Sequence, residues 1–159
     1  MSTKLTQAGV PMVESHSLQL IIAAAKVQES TSLFLSKSLK TKGYRSVSPS
    51  LLNFLSTLEC GANYGSEIAR ALGVSRQMVA KTVRELCKAG YLEQRDGLGK
   101  QKEIVFTETG EMLMSDARQL LADVDRILNK EVGQVQLSAT LSCLENVQKL
   151  MNNYKLHGK

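Results

Sequence analysis

Basic and amide side chains recur every three or four residues between Ser75 and Ala89. On an α-helix this spacing places them on one face, opposite an apolar face. An arginine can bond two acceptors of guanine at once, and a glutamine can do the same with adenine. The pattern predicts a helix that binds DNA. Its candidate contact residues are Ser75, Arg76, Gln77, Met78, Ala80, Lys81, Arg84 and Lys88.

Position along this helix separates the predicted roles. Arg76 and Gln77 lie in the first turn, the end of such a helix that enters the major groove deepest, so they are predicted to contact bases. Ala80 is short and lets the backbones approach, and with Met78 it offers an apolar contact to thymine methyl groups. The alternative to DNA contact is that each of these side chains lies on a helix face that contacts only solvent. The residues predicted to contact phosphates are Lys81, Arg84 and Lys88.

The residues just before this helix predict the element that holds it. Ala69 is small enough to let two helices cross closely, and Gly73 suits the turn between them because glycine adopts positive φ at low cost. Ser66 and Ser75 are the predicted N-caps of the two helices. Residues 61–65 are predicted to form a loop. Together these features predict a helix-turn-helix.

After the second helix the pattern changes to that of a β-hairpin. Residues 91–95 and 102–107 are predicted strands, and residues 96–99, with two glycines, are the predicted turn. A hairpin that directly follows a helix-turn-helix is a wing, and a wing can reach the neighbouring minor groove or the backbone. The alternative is an ordinary hairpin with solvated side chains. The candidate contact residues here are Arg95, Lys100 and Lys102.

Long helical segments flank the predicted winged helix. One helix is expected from about residue 13 to 39, ending before Gly43, and Pro49 suits the first turn of the next. Thr107 is the predicted N-cap of the helix that follows the wing, and Gly133 separates that helix from the last helix of the chain. A single winged lobe does not need the N-terminal and C-terminal helical segments, so their spare apolar faces predict a homodimer. The candidate interface residues are Leu18, Ile21, Ile22, Leu120, Val124, Leu137, Leu141 and Leu144.

The expected fold class is mainly α with a small β-wing, a winged helix-turn-helix with dimerisation helices at both ends. Residues 1–44 form the predicted arm and first dimerisation helix, 45–106 the DNA-binding domain, and 107–159 the C-terminal dimerisation helices. The first two segments each carry a net charge of +3 and the last carries −1. This distribution fits a polyanion-binding module joined to an association module, although a mildly basic solvated surface has the same charge.

The remaining chemistry-bearing residues form no recognisable site. The three cysteines are odd in number and far apart, which indicates neither a disulfide framework nor a zinc site. Cys60 and Cys143 are predicted to be small core residues and Cys87 to lie at the edge of the buried face, with a redox role as the alternative. His16 and His157 lack metal-ligand spacing. No catalytic residue, cofactor or metal is predicted.

The start of the chain has no signal-peptide pattern, and its apolar run is too short to span a bilayer. With cysteine usage that suits a reducing compartment, this predicts a cytoplasmic protein.

The order of elements resembles the MarR family of bacterial winged-helix regulators. The matching stretches are SEIARALGVSRQMVAKTVRELCKAGYLE and, after the wing, VFTETGEML, which is similar to the Thr-x-x-Gly start of the family's long dimer helix. The resemblance implies a homodimer with intertwined terminal helices on a near-palindromic operator. It also implies repression that a small aromatic or phenolic effector relieves.

Two departures from the family pattern concern DNA contact. Arg84-Glu85 stands where the family usually has Asp-Arg. The family wing typically has an Asp-x-Arg pattern in which the acid orients the arginine, whereas this hairpin is shorter and has the sequence DGLGKQK. Lys100 and Lys102 stand there instead, and lysine lacks the planar fork of arginine. Minor-groove insertion by the wing is therefore left open.

Two function classes remain from the sequence. The first is a sequence-specific, dimeric DNA-binding regulator. The second is a winged helix used for protein–protein contact, as an anti-repressor or an assembly subunit. The basic outer face of the second helix favours DNA, because the core of a protein interface is usually depleted in charge. The altered wing keeps the alternative open.

Overall fold

The computed structural model describes residues 15–97 and 99–154, so the predicted N-terminal arm and His157 lie outside it. The described residues form mostly helix with one antiparallel hairpin, which confirms the predicted fold class. None of these helices is long and apolar enough to cross a bilayer. The elements in chain order are α1 (His16–Thr41), α2 (Pro49–Glu59), α3 (Gly65–Leu72), α4 (Arg76–Lys88), β1 (Leu92–Asp96), β2 (Lys102–Phe106), α5 (Glu108–Glu131) and α6 (Gln134–Asn153).

Hydroxyl side chains cap four of the helices. Ser15, Ser48, Ser75 and Thr107 each accept a hydrogen bond from the backbone N–H three residues further on, at 3.2, 3.3, 3.1 and 3.1 Å. Each bond satisfies a backbone donor that the helix itself leaves without a partner. The predicted positions of Pro49 in the first turn of α2, of Ser75 as the cap of α4 and of Thr107 as the cap of α5 are confirmed.

The start of α3 differs from the prediction. The helix begins at Gly65, so Ser66 lies inside it and is not the N-cap. Instead, the Glu67 carboxylate reaches back and accepts from the backbone N–H groups of Asn63 and Tyr64, both at 3.1 Å. A carboxylate at the third helical position can satisfy these donors as well as a serine can, and its charge suits the positive end of the helix dipole.

The predicted loop before α3 is also wrong in its second half. Tyr64 pairs with Glu103 in an antiparallel bridge, and the Ile104 N–H donates to the carbonyl of Asn63 at 2.8 Å. This short extended segment lies beside β2 as a third strand would. The wing is therefore fastened at its base to the start of the helix-turn-helix.

One apolar core joins the winged lobe to the first part of α5. The inward face of α4 is formed by Val79, Val83 and Leu86, as predicted, and all three are buried. Ile68 from α3 and Leu113 from α5 have no exposed surface at all. The other large buried side chains of this core come from α1, α2, the hairpin, the segments that lead into α2 and β1, and α5: Leu39, Val47, Leu52, Phe54, Leu55, Leu58, Tyr91, Leu92, Ile104 and Met114.

The loop between α1 and α2 is fastened to α5. Lys42 Nζ lies 2.8 Å from Asp116 Oδ1, and the Tyr44 hydroxyl donates to Asp116 Oδ2 at 2.7 Å. These two hydrogen bonds hold the pKa of Asp116 below its usual range. Burial, followed by the bond to Asp116, raises the pKa of Tyr44 to about 12. Asp116 therefore stays ionised and links the two segments at neutral pH.

The first turn of α5 lies close against the backbone of Tyr91. A Cβ atom at Gly110 would lie 2.1 Å from the carbonyl oxygen of Tyr91, a distance that side chains cannot adopt. The Thr107 N–H donates to the same carbonyl at 3.0 Å, and the Thr107 hydroxyl donates to the carbonyl of Gly90 at 2.5 Å. The Thr-x-x-Gly sequence thus joins α5 to the end of the helix-turn-helix.

We expect Gly110→Ala to lower the free energy of unfolding by about 2 kcal/mol or more, because the added methyl group must displace the Tyr91 backbone. Chemical denaturation measures this change. Gly65→Ala is the matched control: its Cβ would lie 3.7 Å from Val79, an ordinary contact. Equal stability of the two variants would show that Gly110 is not needed for this approach.

Candidate nucleic-acid interface

The centre of the outer face of α4 is a row of four exposed polar side chains spaced four, three and four residues apart. We call this row the outward stripe; it consists of Gln77, Lys81, Arg84 and Lys88. On a helix with about 3.6 residues per turn, this row lies opposite the buried residues Val79, Val83 and Leu86. Three positive charges on one exposed face suit contact with a polyanion.

The other predicted contact residues of α4 lie at the margins of this face. Arg76 and Ala80 lie on the side nearest the wing, where both line a crevice. Met78 lies on the opposite side, over a shallow apolar depression between α2 and α4. Ser75 is exposed, and its Oγ accepts the capping bond from Met78, which leaves the hydroxyl hydrogen available as a donor.

The crevice between α4 and the wing has a volume of about 270 Å³. We call it the α4–wing crevice. Its buried floor is apolar and is formed by Val79, Val83 and Ile104. Gly65 and Ala80 complete its lining with little bulk. The polar side chains around it come from α3, α4, both strands of the hairpin and the turn between them: Ser66, Arg76, Gln94, Lys102 and Gln101.

The two faces of the wing carry different chemistry. In the hairpin register Gln94 is paired with Ile104, and Asp96 with Lys102. Alternate strand residues share a face, so Gln94, Asp96 and Lys102 lie on the same face as buried Ile104, towards α4. Arg95 lies on the other face, opposite Glu103.

The three predicted basic residues of the wing have unequal surroundings. Arg95 Nη2 lies 2.5 Å from Glu93 Oε1, and this pair together with Glu103 makes its face of the hairpin acidic rather than basic. Lys102 Nζ lies 2.5 Å from Asp96 Oδ1, which lowers the pKa of Asp96. Lys100 is exposed in the turn between the strands.

The ion pair between Asp96 and Lys102 was not predicted from the sequence, although both residues are in the stretch DGLGKQK. The two are six residues apart and become neighbours only through the hairpin register. The signal that indicates the pair is the turn length, because it sets which residues face each other across the strands. Sequence analysis also missed Gln94 and Gln101 in the crevice. The same register indicates that they lie beside Lys102.

The eight candidate interface residues lie on α1, α5 and α6. Leu120, Val124 and Leu137 are half-buried in the single chain, and Leu120 also packs against the core. The other five are exposed, up to 64% for Ile21. None of the described residues of α6 is buried. These helices thus expose apolar surface that residues 15–97 and 99–154 leave uncovered. The five exposed candidates are Leu18, Ile21, Ile22, Leu141 and Leu144.

The cysteines differ from the prediction in part. Cys60 and Cys143 are exposed rather than core residues. Cys60 follows the last turn of α2, beyond its apolar face, and Cys143 lies on α6, which has no buried face in the single chain. Cys87 is half-buried, as predicted, and burial, followed by the charge of Glu93, raises the pKa of its thiol. A raised pKa disfavours the reactive thiolate.

The described residues, 15–97 and 99–154, hold no group of three His, Cys, Asp or Glu side chains that could bind a metal ion. What they do present together is an exposed basic helix, a wing beside it, and long helices at both ends of the lobe. This arrangement defines a winged helix-turn-helix protein.

Solved structures show which class of winged helix this is. The apo form of MarR from E. coli is 16% identical, with a TM-score of 0.65 over 86% of this chain and 98% of that one. FabT of Streptococcus pneumoniae, in complex with DNA, is 10% identical, with a TM-score of 0.74 over 87% and 99%. Staphylococcus aureus MarR, in complex with salicylate and kanamycin, is 12% identical, with a TM-score of 0.71 over 87% and 94%.

The chain therefore has the fold of the MarR-type winged-helix regulators, as the sequence resemblance implied. The similarity extends over nearly the whole of each of these proteins. Comparison of the sequence with protein-family models and with curated proteins gives no match. The likeness thus lies in the arrangement of the elements, at low sequence identity.

Proposed function

We propose that this protein is a sequence-specific DNA-binding transcriptional regulator that acts in the cytoplasm as a homodimeric repressor on a near-palindromic operator. The observation that carries the proposal is the outward stripe of α4, which presents three cations and one glutamine on an exposed helix face beside a wing. The fold it shares with FabT, which was solved in complex with DNA, supports the same conclusion.

The chemistry of the stripe favours DNA over a protein partner. Gln77 lies in the first turn of α4, where a recognition helix enters the major groove, and its amide can bond adenine bidentately. Lys81, Arg84 and Lys88 extend along the same face at spacings that suit phosphates on either side of the groove. A protein-binding surface would need an apolar centre here, and the stripe has none.

The exposed apolar surface supports a homodimer. The 20 residues of α6 include no buried residue, and its principal contact in the chain is with α5. A helix of this kind gains most of its stability from packing of an apolar face, so a second copy is the partner that the proposal requires. Two copies also present two outward stripes, as a palindromic site requires.

We expect Lys81→Ala and Arg84→Ala each to reduce the slope of log affinity against log salt by about one unit per subunit, because each removes one phosphate contact. Fluorescence anisotropy on DNA selected from a random pool measures the slope. Lys130→Ala removes the same charge from the far end of α5 and should leave it unchanged. If all three variants keep the wild-type slope, the outward stripe does not bind phosphates.

We expect Leu141→Glu combined with Leu144→Glu to convert the dimer to monomer, since each places a charge in an apolar interface at a cost of several kcal/mol. DNA affinity should fall with it. Val135→Glu is the matched control, because Val135 is 84% exposed and lies on the opposite side of α6. Analytical ultracentrifugation gives the result. A wild-type monomer that binds a palindrome tightly would contradict the proposal.

A small neutral phenol is the effector that we propose for release from DNA. A cavity of about 430 Å³ lies between α1, α2 and α5, and none of its described lining residues is charged. Hydroxyl and amide groups from Gln28, Ser32 and Asn53 line it together with apolar Leu35 and Leu121. Without a cation to balance a carboxylate, such a lining suits an uncharged ligand with one or two hydrogen-bonding groups.

We expect calorimetry to show that p-cresol binds more tightly than benzoate, and that p-cresol weakens the complex with DNA. Ser32→Phe should abolish p-cresol binding, because the added ring fills the cavity. The variant should keep the DNA affinity of the wild-type protein, which a salt titration measures. Gln136→Phe, on the exposed surface of α6, is the control for an added aromatic group. Tighter binding of benzoate, or p-cresol binding that Ser32→Phe leaves intact, would be evidence against this effector site.

A further inference from the structure

We propose that the α4–wing crevice is a binding site for one phosphodiester group of the DNA backbone, held between Arg76 and Lys102 and hydrogen-bonded by Gln94 and Gln101. The site rests on the proposed function and adds to it a role for two glutamines of the hairpin. It also changes the role of Arg76, which sequence analysis assigns to base contact.

Two cations from separate elements meet at this crevice. Arg76 is the first residue of α4 and Lys102 is the first residue of β2, and both line the same 270 Å³ space. None of the described residues that line it is acidic. Asp96, the carboxylate paired with Lys102, is 94% exposed and is not part of the lining. An anion in this space would lie beside Arg76 and would compete with the Asp96 carboxylate for Lys102.

The glutamines supply neutral donors to the same space. Gln94 occupies a position on the hairpin face that also carries buried Leu92 and Ile104, where an apolar residue would suit the pattern. An amide NH₂ group has two donors, which match phosphate oxygens without adding charge. Gln101 immediately precedes β2 and reaches the crevice from the turn.

The floor of the crevice excludes water from one side of a bound group and leaves room for the ligand. Val79, Val83 and Ile104 are each at most 3% exposed, so an anion above them has less water on that side. Charge–charge attraction is larger where water is partly excluded. Ala80 has the smallest side chain on this edge of α4, and a longer one would occupy the space.

The position of the crevice also matches the path of a DNA strand. When α4 lies in the major groove and the wing reaches towards the next groove, the backbone between the two grooves must pass between these elements. The crevice is the space between them. Arg76 at its edge therefore contacts backbone rather than a base, and its contribution is independent of sequence.

The test compares an operator selected from random DNA with a scrambled duplex of equal length, over a range of salt concentrations. We expect Arg76→Ala to lower affinity for both duplexes by the same factor and to reduce the salt slope by about one unit per subunit. Arg76→Lys should restore the slope, because the charge is restored. Circular dichroism and thermal melting establish that each variant is folded.

Gln101→Ala and Ala80→Leu test the neutral part of the site. Gln101→Ala should weaken binding to both duplexes with the slope unchanged, because it removes donors and no charge. Ala80→Leu should weaken binding to both by filling the space. Gln136→Ala, an exposed glutamine on α6, is the control and should bind as the wild type does.

A loss in Arg76→Ala that is confined to the operator would identify Arg76 as a base-reading residue and overturn the crevice proposal. Wild-type affinity in both Arg76→Ala and Gln101→Ala, with a reduced slope in Lys81→Ala, would also overturn it while leaving DNA binding in place. Wild-type protein that binds neither duplex would overturn the proposed function itself, and the crevice site with it.

Discussion

The contact between the first turn of α5 and the backbone of Tyr91 determines how the lobe is joined to the long helices. Gly110 is required there because a Cβ would lie 2.1 Å from the Tyr91 carbonyl oxygen. Thr107 donates to this carbonyl and to that of Gly90. The Tyr91 hydroxyl, in turn, donates to the carbonyl of Arg45 at 2.7 Å and accepts from its N–H at 3.0 Å. One residue thus joins the end of the helix-turn-helix, the start of α5 and the loop after α1.

The wing depends on the same contact at one end and on Tyr64 at the other. β1 follows Tyr91 directly and β2 leads directly into Thr107, so the open end of the hairpin is held where α5 begins. Farther along the hairpin, the bridge between Tyr64 and Glu103 holds β2 to the start of α3. A hairpin alone is marginally stable in water, and these attachments keep its inner face turned towards α4. The two walls of the α4–wing crevice are α4, which packs into the core, and the hairpin, which is held by the contacts at Tyr91 and Tyr64. The crevice lies between these two elements.

The parts of this structure that the sequence predicts are those that depend on local periodicity and capping. The apolar positions Val79, Val83 and Leu86 determine which face of α4 is buried, and the caps Ser75 and Thr107 determine where helices begin. The parts that it does not predict depend on contacts between distant residues. The exposure of Cys60 and the pairing of Asp96 with Lys102 follow from helix ends and strand register, which an apolar pattern specifies poorly.

Under the proposed function, the tight join at Tyr91 also limits how an effector can act. A ligand shifts an equilibrium only by its different affinity for two states. The winged lobe is held as a unit by one core and by the hydrogen bonds at Tyr91 and Asp116. The position of α4 within the lobe is therefore harder to change than the position of the lobe relative to the long helices. The cavity between α1, α2 and α5 lies instead where the lobe meets the long helices. Binding there favours a change in the spacing of two lobes in a dimer, and a palindromic site is sensitive to that spacing because its half-sites are a fixed distance apart.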